Sequence, residues 1–184
     1  MELIASNIQL DMENIIIRKV TVNDIGALQE ISKQTFEETS SESTGKENMQ
    51  MYLSEEFSIE KLTTEYNNFG SWFYFVLAEE KVVGYIKLNE GETESELKFR
   101  HGLEIQRIYV LKAYHGKKIG QLLCDHAIKV ANDLKCLFVW LCVWEENLRA
   151  IRFYQKNGFV EFDRKTFKLG EELQNDIIMK RNLY

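Results

Sequence analysis

A short basic turn, His115-Gly-Lys-Lys-Ile-Gly120, stands between an apolar run and a long amphipathic segment. The run before it, Leu103 to Val110, carries β-branched and aromatic residues and reads as a buried strand. After it, Ile119, Leu122, Leu123, Ala127, Val130, Ala131 and Leu134 recur at three- and four-residue steps, the spacing of one helix face. The order is therefore strand, glycine-bearing basic loop, helix start. The first N–H groups of a helix lack intrahelical partners, and the helix dipole is positive there. A pyrophosphate fits such a place, and Lys117 and Lys118 add charge. A plain tight turn with solvated lysines is the competing reading. Two nucleotide motifs are excluded. A P-loop needs Ser or Thr after its Gly-Lys, but Gln121 and Leu122 follow Gly120. A dinucleotide fingerprint needs three spaced glycines, and only Gly116 and Gly120 are present.

A second stretch, Asn147 to Phe159, has the form N-x-x-A-x-x-F-Y-x-K-x-G-F and follows another apolar run, Cys136 to Trp144. That run is nearly continuous, as in a strand covered on both faces. Ala150, Phe153 and Tyr154 fall on one helical face. Gly158 suits a left-handed C-terminal cap, and Phe159 starts the next strand.

The elements that must position these stretches follow from pattern. Ile15 to Val20 reads as a first strand. Thr21 or Asn23 caps a helix with Ile25, Leu28, Ile31 and Thr35/Phe36 on its inner face. Glu37 to Lys46 is polar and reads as a loop, with a helical patch near Met49 to Leu53. Ser58 caps a helix from Ile59 to Asn67, with Ile59, Leu62 and Tyr66 inward; Lys61 sits where a capping box needs Glu or Gln. Trp72 to Ala78 and Val82 to Leu88, joined by Glu79 to Lys81, read as a hairpin. Gly84 inside it signals a bulge or a close backbone approach. Glu90 to Arg100 is a charged surface loop. Phe159 to Lys168 and Asp176 to Asn182 are late strands joined through Leu169-Gly-Glu171.

The length of 184 residues fits one domain, 1–184, with residues 1–14 as an irregular extension or extra strand. A net charge of −6 argues against a general nucleic-acid binder and suits a cationic substrate. No apolar run reaches membrane-spanning length, and no signal-peptide layout opens the chain, so a cytoplasmic location is expected. Cys124, Cys136 and Cys142 are odd in number and lack C-x-x-C spacing. They read as reduced, mostly buried thiols, and no metal site is expected. His101 and His126 have no distinctive spacing and read as surface residues.

The two motifs, with a buried strand between them, resemble the signature blocks of the GNAT superfamily of acyl-CoA-dependent N-acetyltransferases. His115 to Gly120 is similar to their pyrophosphate loop, Q/R-x-x-G-x-G/A. It departs at His115, where Gln or Arg is usual, and at Lys118, where Gly is usual and positive φ is expected. The resemblance spans roughly Ile15 to Asn182. Within the superfamily, Trp140 to Asn147, Phe167 to Gly170, Asn175 to Lys180, Tyr52-Leu53 and Phe57-Ser58 resemble the PaiA-like spermidine/spermine branch. The implied fold is α/β (mixed α+β): a central, mixed, mostly antiparallel twisted sheet of about six or seven strands with a splayed parallel pair, flanked by about four helices.

The resemblance also implies roles. Acetyl-CoA is the co-substrate, held where the strand ending at Tyr109 and Val110 parts from the one ending at Val143 and Trp144. Backbone N–H groups near Ile108, Tyr109 and Val110 serve its thioester carbonyl and pantetheine. The loop from His115 through Gly116, Lys117, Lys118, Ile119 and Gly120 to Gln121 serves its pyrophosphate. Tyr154 is the expected general acid to the departing thiolate; packing as a half-buried aromatic is the alternative. Asn147 is expected on pantetheine or as a helix N-cap, and Lys156 near the CoA phosphates. Glu104 is the expected base, through a water, with Glu145 and Glu146 competing. Glu37 and Glu38 suit a polycation, and Trp72, Tyr74 and Tyr85 suit stacking on an alkylammonium chain. A small primary amine, above all a polyamine, is the expected acceptor. A protein lysine or N-terminal acetyltransferase and a non-catalytic acyl-CoA-binding regulator remain open, as does a homodimer.

Overall fold

Thr21 ends the first strand, β1 (Ile15–Lys19), and starts the first helix. Its backbone N–H and its hydroxyl both donate to the Asp24 carboxylate, at 2.8 and 2.7 Å. Arg18 grips the same carboxylate from the strand at 2.8 Å, and that bond holds Asp24 well below the usual carboxylate range. A 3-10 turn over Val22–Asp24 then feeds α1 (Ile25–Ser40). This computed structural model describes residues 14–40, 46–91, 100–169 and 172–184. The expected N-terminal extension, the tip of the 37–46 loop, most of the 90–100 loop and the centre of the last turn lie outside the described residues.

The chain continues through α2 (Lys46–Glu56), α3 (Ile59–Asn67), β2 (Ser71–Ala78), β3 (Lys81–Glu90) and β4 (Gly102–Val110). It ends with α4 (Ile119–Asp133), β5 (Phe138–Trp144), α5 (Leu148–Lys156), β6 (Val160–Leu169) and β7 (Glu172–Asn182). Among the described residues seven strands form one sheet, in the order β1-β2-β3-β4-β5-β7-β6. Only β4 and β5 run parallel; every other neighbouring pair is antiparallel. Among the described residues five α-helices flank the sheet, the expected helical patch having become the full α2.

Local chemistry explains most boundaries. Ser58 Oγ accepts from the Lys61 N–H at 3.1 Å, so the serine alone caps α3. The hairpin turn is the two residues Glu79 and Glu80, at φ 50° and 66°, the left-handed pair that two-residue hairpins favour. Strand pairing slips between Val76 and Leu77, which leaves Val83 as the extra residue beside Gly84. Two expectations change. α1 runs through Ser40 instead of giving way to a loop at Glu37; Gln34 donates to Glu38 at 3.0 Å and Thr39 to the Thr35 carbonyl at 2.8 Å, so the start of the polar stretch stays helical. Ile59 faces outward, 46% exposed, and Glu65 takes an inward place on α3.

Two apolar layers sandwich the sheet. One gathers Leu103, Ile105, Val139, Leu141 and Ile177 with Leu123, Ala127 and Ala131 of α4 and Tyr154 of α5. The other gathers Phe73, Phe75 and Tyr85 with Leu28, Ile31 and Phe36 of α1, Leu53 of α2 and Leu62 of α3. Cys124 and Cys136 are buried and Cys142 half-buried, all as free thiols. Among the described residues no helix is long and apolar enough to cross a membrane.

Candidate active site

β4 and β5 pair over only three positions, Gly102 with Phe138, Leu103 with Val139 and Glu104 with Trp140. Beyond Glu104, β4 stays on β3 as far as Val110, and β5 stays on β7 as far as Trp144. The two parallel strands therefore part, and Glu104 sits at the fork. Ile105 pairs with Leu88 and Arg107 with Lys87, so Gln106 is a bulged residue. A bulge bends and twists its strand, and this one lies where β4 turns away from β5. Gly84 lets the far end of β4 lie close. A Cβ there would stand 2.5 Å from the Tyr109 carbonyl oxygen and 3.1 Å from Val110 Cα.

From Val110 the chain enters the basic loop. The Leu111 N–H donates to the Val83 carbonyl at 2.9 Å, and the Lys112 N–H donates to Glu38 at 2.6 Å. Gly116 turns at φ +78°, with open space where a side chain would be. Lys118 adopts φ +61°, so a lysine occupies the left-handed position expected of glycine, at a typical cost of about 1–2 kcal/mol. It is the N-cap of α4, and no side chain caps that helix start. The open turn, the uncapped N–H groups and the lysines fit a pyrophosphate. Lys117 lies 5.0 Å over the Tyr114 ring. The Gln121 side chain turns away to Asn157 and Asp125, at 2.6 and 2.8 Å, which joins α4 to the end of α5. The His115 ring likewise faces protein, 2.8 Å from the Val110 carbonyl and 3.1 Å from the Arg149 guanidinium.

α5 begins at Asn147, whose Oδ1 accepts from the Ala150 N–H at 3.1 Å, the plain N-cap. It ends at Gly158, φ +82°, where the Gly158 N–H reaches the Gln155 carbonyl and the Phe159 N–H reaches that of Tyr154, both at 3.0 Å. This is the Schellman closure expected from the spacing. Tyr154 is 7% exposed and packs edge-on to Phe153 and Phe159. Burial, then the neighbouring Cys124 and Tyr109, push its phenol above the ordinary range, so it keeps its proton. Among the described residues no hydrogen bond reaches its hydroxyl. Lys156, in the last turn, is exposed.

The opposite face of the fork carries carboxylates. Glu104 is 5% exposed and accepts from Asn89 at 2.8 Å; Asn89 in turn accepts from Ser71 at 2.8 Å. Asp176 on β7 stands opposite Trp144, the last residue of β5. Burial raises its carboxyl, partly offset by Lys165 across the β6–β7 pair. The Cys142 thiol feels both Glu104 and Asp176 and is pushed up to about 12, chiefly by burial. Burial raises the Tyr109 phenol, and Asp176 adds to that rise against the opposing Arg107 charge. On the α1–α2 side Phe36 and Tyr52 stack at 4.7 Å, with Phe36 edge-on to Tyr109 at 6.4 Å. Glu38 is tied to the loop by the Lys112 N–H, while Glu37 is exposed.

Trp72 and Tyr85 do not come together. They pack in different layers on opposite faces of the sheet, because their strand positions differ in parity. Tyr85 is fully buried, with the Ser32 hydroxyl beside its own. His126 is not a surface residue. Its ring meets Tyr74 at 4.4 Å, and burial lowers its pKa. The sequence reading assigned no role to Asp176, Arg149 or Asn89. Asp176 stood inside the Asn175 to Lys180 string, but nothing local marked it as facing the gap. Among the described residues no cluster of three His, Cys, Asp or Glu side chains gathers to hold a metal.

A sheet whose one parallel pair opens beside an uncapped, lysine-bearing helix start is the architecture of an acyl-CoA-dependent transferase. The chain belongs to the acetyltransferase (GNAT) family, whose pattern matches residues 28–159. It is 32% identical over 172 residues to an uncharacterized N-acetyltransferase in the pepI 3′ region of Lactobacillus delbrueckii subsp. lactis, covering 94% of this chain and 99% of that one. It is 29% identical over 147 residues to a spermidine N(1)-acetyltransferase of Thermoplasma acidophilum, covering 78% and 86%. The crystal structure of a PaiA N-acetyltransferase from the same organism, in complex with coenzyme A, superposes with a TM-score of 0.74 at 26% identity, over 91% of this chain and 98% of that one. The protein is thus an N-acetyltransferase that uses acetyl-CoA and resembles the PaiA type.

Proposed function

We propose that the chain acetylates a primary amine by direct attack on the thioester, and that a polyamine such as spermidine or spermine is its preferred acceptor. The observation that carries this reading is that Glu104 and Asp176 share one face of the forked sheet, opposite Trp140 and Trp144 of β5. A spermidine N(1)-acetyltransferase of Thermoplasma acidophilum is also among the relatives of this chain. A polyamine carries several fixed charges. Carboxylates bordering one cleft hold its distal ammonium groups while the reacting nitrogen loses a proton near the thioester. Glu104, through a water, takes that proton. Asp176 and the exposed Glu37 hold the remaining charge. Bound acetyl-CoA supplies the activated acetyl group. Toward it, backbone groups at Ile108, Tyr109 and Val110 serve the acyl and pantetheine portion, and the loop from Gly116 to Gln121 serves the pyrophosphate. Asn147 and Lys156 flank the same ligand, and Tyr154 returns a proton to sulfur.

The acceptor is tested by thiol release from acetyl-CoA across polyamines, monoamines, amino acids, aminoglycosides and lysine peptides, at low and moderate ionic strength. Polyamines should show the highest kcat/KM, and their turnover should fall with salt as screening weakens the carboxylates. Asp176→Asn should raise the polyamine KM more than that of a monoamine. Better turnover of a peptide or an aminoglycoside would reject the polyamine and leave the acetyltransferase. The loop has its own test. Lys117→Glu/Lys118→Glu should weaken CoA binding by at least tenfold in calorimetry, from like-charge repulsion and lost attraction, with the circular dichroism spectrum unchanged. Unchanged affinity would remove the loop from the phosphate site.

A further inference from the structure

His115 stands where the family pattern has Gln or Arg, and its two ring nitrogens have different partners. Nε2 lies 2.8 Å from the Val110 carbonyl oxygen, which can only accept. Nδ1 lies 3.1 Å from the Arg149 guanidinium, which can only donate. Both bonds form together in one state alone: a neutral imidazole with its proton on Nε2 and a lone pair on Nδ1. We infer that His115 is a positioning residue, a neutral strut that ties the end of β4 to α5 and makes acyl-CoA binding weaken on acidification.

What the strut holds explains the consequence. Val110 and Leu111 share one peptide unit. His115 holds its carbonyl, and the Val83 carbonyl holds its N–H at 2.9 Å. The end of β4 is thereby fixed from both sides, at the border of the gap. Arg149 lies in the first turn of α5, the helix that carries Tyr154. A second proton on the imidazole would set an N–H against the guanidinium and break the Arg149 bond. The charged groups of the loop and of α5 are Lys112, Lys117, Lys118, Arg149, Arg152 and Lys156, and α1 brings Glu38 onto the Lys112 N–H. Repulsion from Arg149 would reorient the ring and release the peptide unit. Gln offers one donor and one acceptor without titrating, so His115→Gln is the conservative replacement.

The inference rests on the acyl-CoA reading of the loop and is independent of the acceptor. Two measurements test it. Imidazole 15N NMR of the free protein at pH 7.5 should show His115 as the neutral Nε2–H tautomer; an imidazolium or an Nδ1–H tautomer would overturn the strut. Calorimetry with dephospho-CoA from pH 7.5 to 5.5 avoids the ligand's own 3′-phosphate titration near pH ~6. Affinity of the wild type should fall about 2- to 10-fold, the worth of one net hydrogen bond. His115→Ala should lose that factor already at pH 7.5, and His115→Gln should restore most of it and flatten the pH dependence. Affinity that rises on acidification, or an equal pH dependence in His115→Gln, overturns the proposal. If dephospho-CoA binds at no pH, the loop reading itself fails, and the tautomer still judges the strut.

Discussion

Tyr154→Phe is expected to lower kcat by about 10²-fold or more while leaving the affinity for acetyl-CoA within a few-fold. The phenol is 7% exposed, and burial holds its pKa above the ordinary range. A buried phenol that keeps its proton through neutral pH is in the state a general acid needs. The hydroxyl matters most when negative charge builds on the departing sulfur, so its loss belongs in turnover rather than in ground-state binding. Phe keeps the ring and its edge-on contacts with Phe153 and Phe159. The variant therefore removes one oxygen and little packing, and an unfolded protein would not explain the loss. Because this pKa is raised, the pH–rate profile between pH 6 and 9 should show no limb from Tyr154. The rate should rise with pH as the amine and its base lose protons. The check is steady-state kcat with a direct CoA titration on the same preparation. Turnover equal to wild type would leave Tyr154 as a packing residue only.

Much of this arrangement was legible in the sequence because it is local. The order of strand, loop and helix around Gly116, the Schellman end at Gly158 and the Ser58 cap each depend on a few adjacent residues. Lys118 illustrates the border of that rule. The resemblance called for a left-handed residue at this loop position, and the chain adopts φ +61° there although the side chain resists it. The fork was readable only through resemblance, since it depends on three pairs joining residues 102–104 to 138–140. Asp176 was missed for the same reason: its position is set by pairing with Trp144, far away in sequence. Ile59 and Glu65 show the opposite failure. Periodicity placed the isoleucine inward, but tertiary ion pairs from β3 and β4 draw the glutamate in instead. His126 was read as a surface residue because no spacing marks a histidine that packs on Tyr74.

Those ion pairs carry the second large effect, on stability. Glu65 accepts a two-pronged bond from Arg107, at 2.7 and 3.0 Å, and pairs with Lys87 at 3.0 Å. The three side chains are 11%, 10% and 4% exposed, and the cations lie over Phe57 and Phe73. Burial works to raise the Glu65 pKa, but the Arg107 charge and bonds outweigh it and hold the group ionised. Glu65→Gln keeps the shape, strips Lys87 of its Glu65 partner and leaves Arg107 only the longer 3.9 Å contact with Glu56, so it should cost about 3–5 kcal/mol. That is a large share of the roughly 5–15 kcal/mol typical of a domain. Lys87→Met should be neutral or stabilising, because the Glu65–Arg107 pair survives without the lysine's desolvation. The pH dependence fixes the sign. Burial, then the Arg107 charge, push Lys87 down to about 8 from 10.5. Between those values the unfolded chain binds more protons than the native one, so this lysine's contribution to stability rises with pH. Below about pH 8 both states bind the proton and the penalty is full. Burial also pushes the Cys124 and Cys142 thiols up to about 12, and these lower stability as pH climbs past the ordinary thiol range. The wild-type curve alone would mix the two effects. The difference between wild type and Lys87→Met cancels the thiols. From urea titrations at pH 8 and 9.5 it should shift toward wild type by about 1.5 kcal/mol, because the lysine is only half titrated at pH 8 and each full unit is worth about 1.36 kcal/mol. A flat difference, or a Glu65→Gln cost under about 1 kcal/mol, would mean that solvent reaches these charges and that α3 is held to the sheet by its apolar contacts alone.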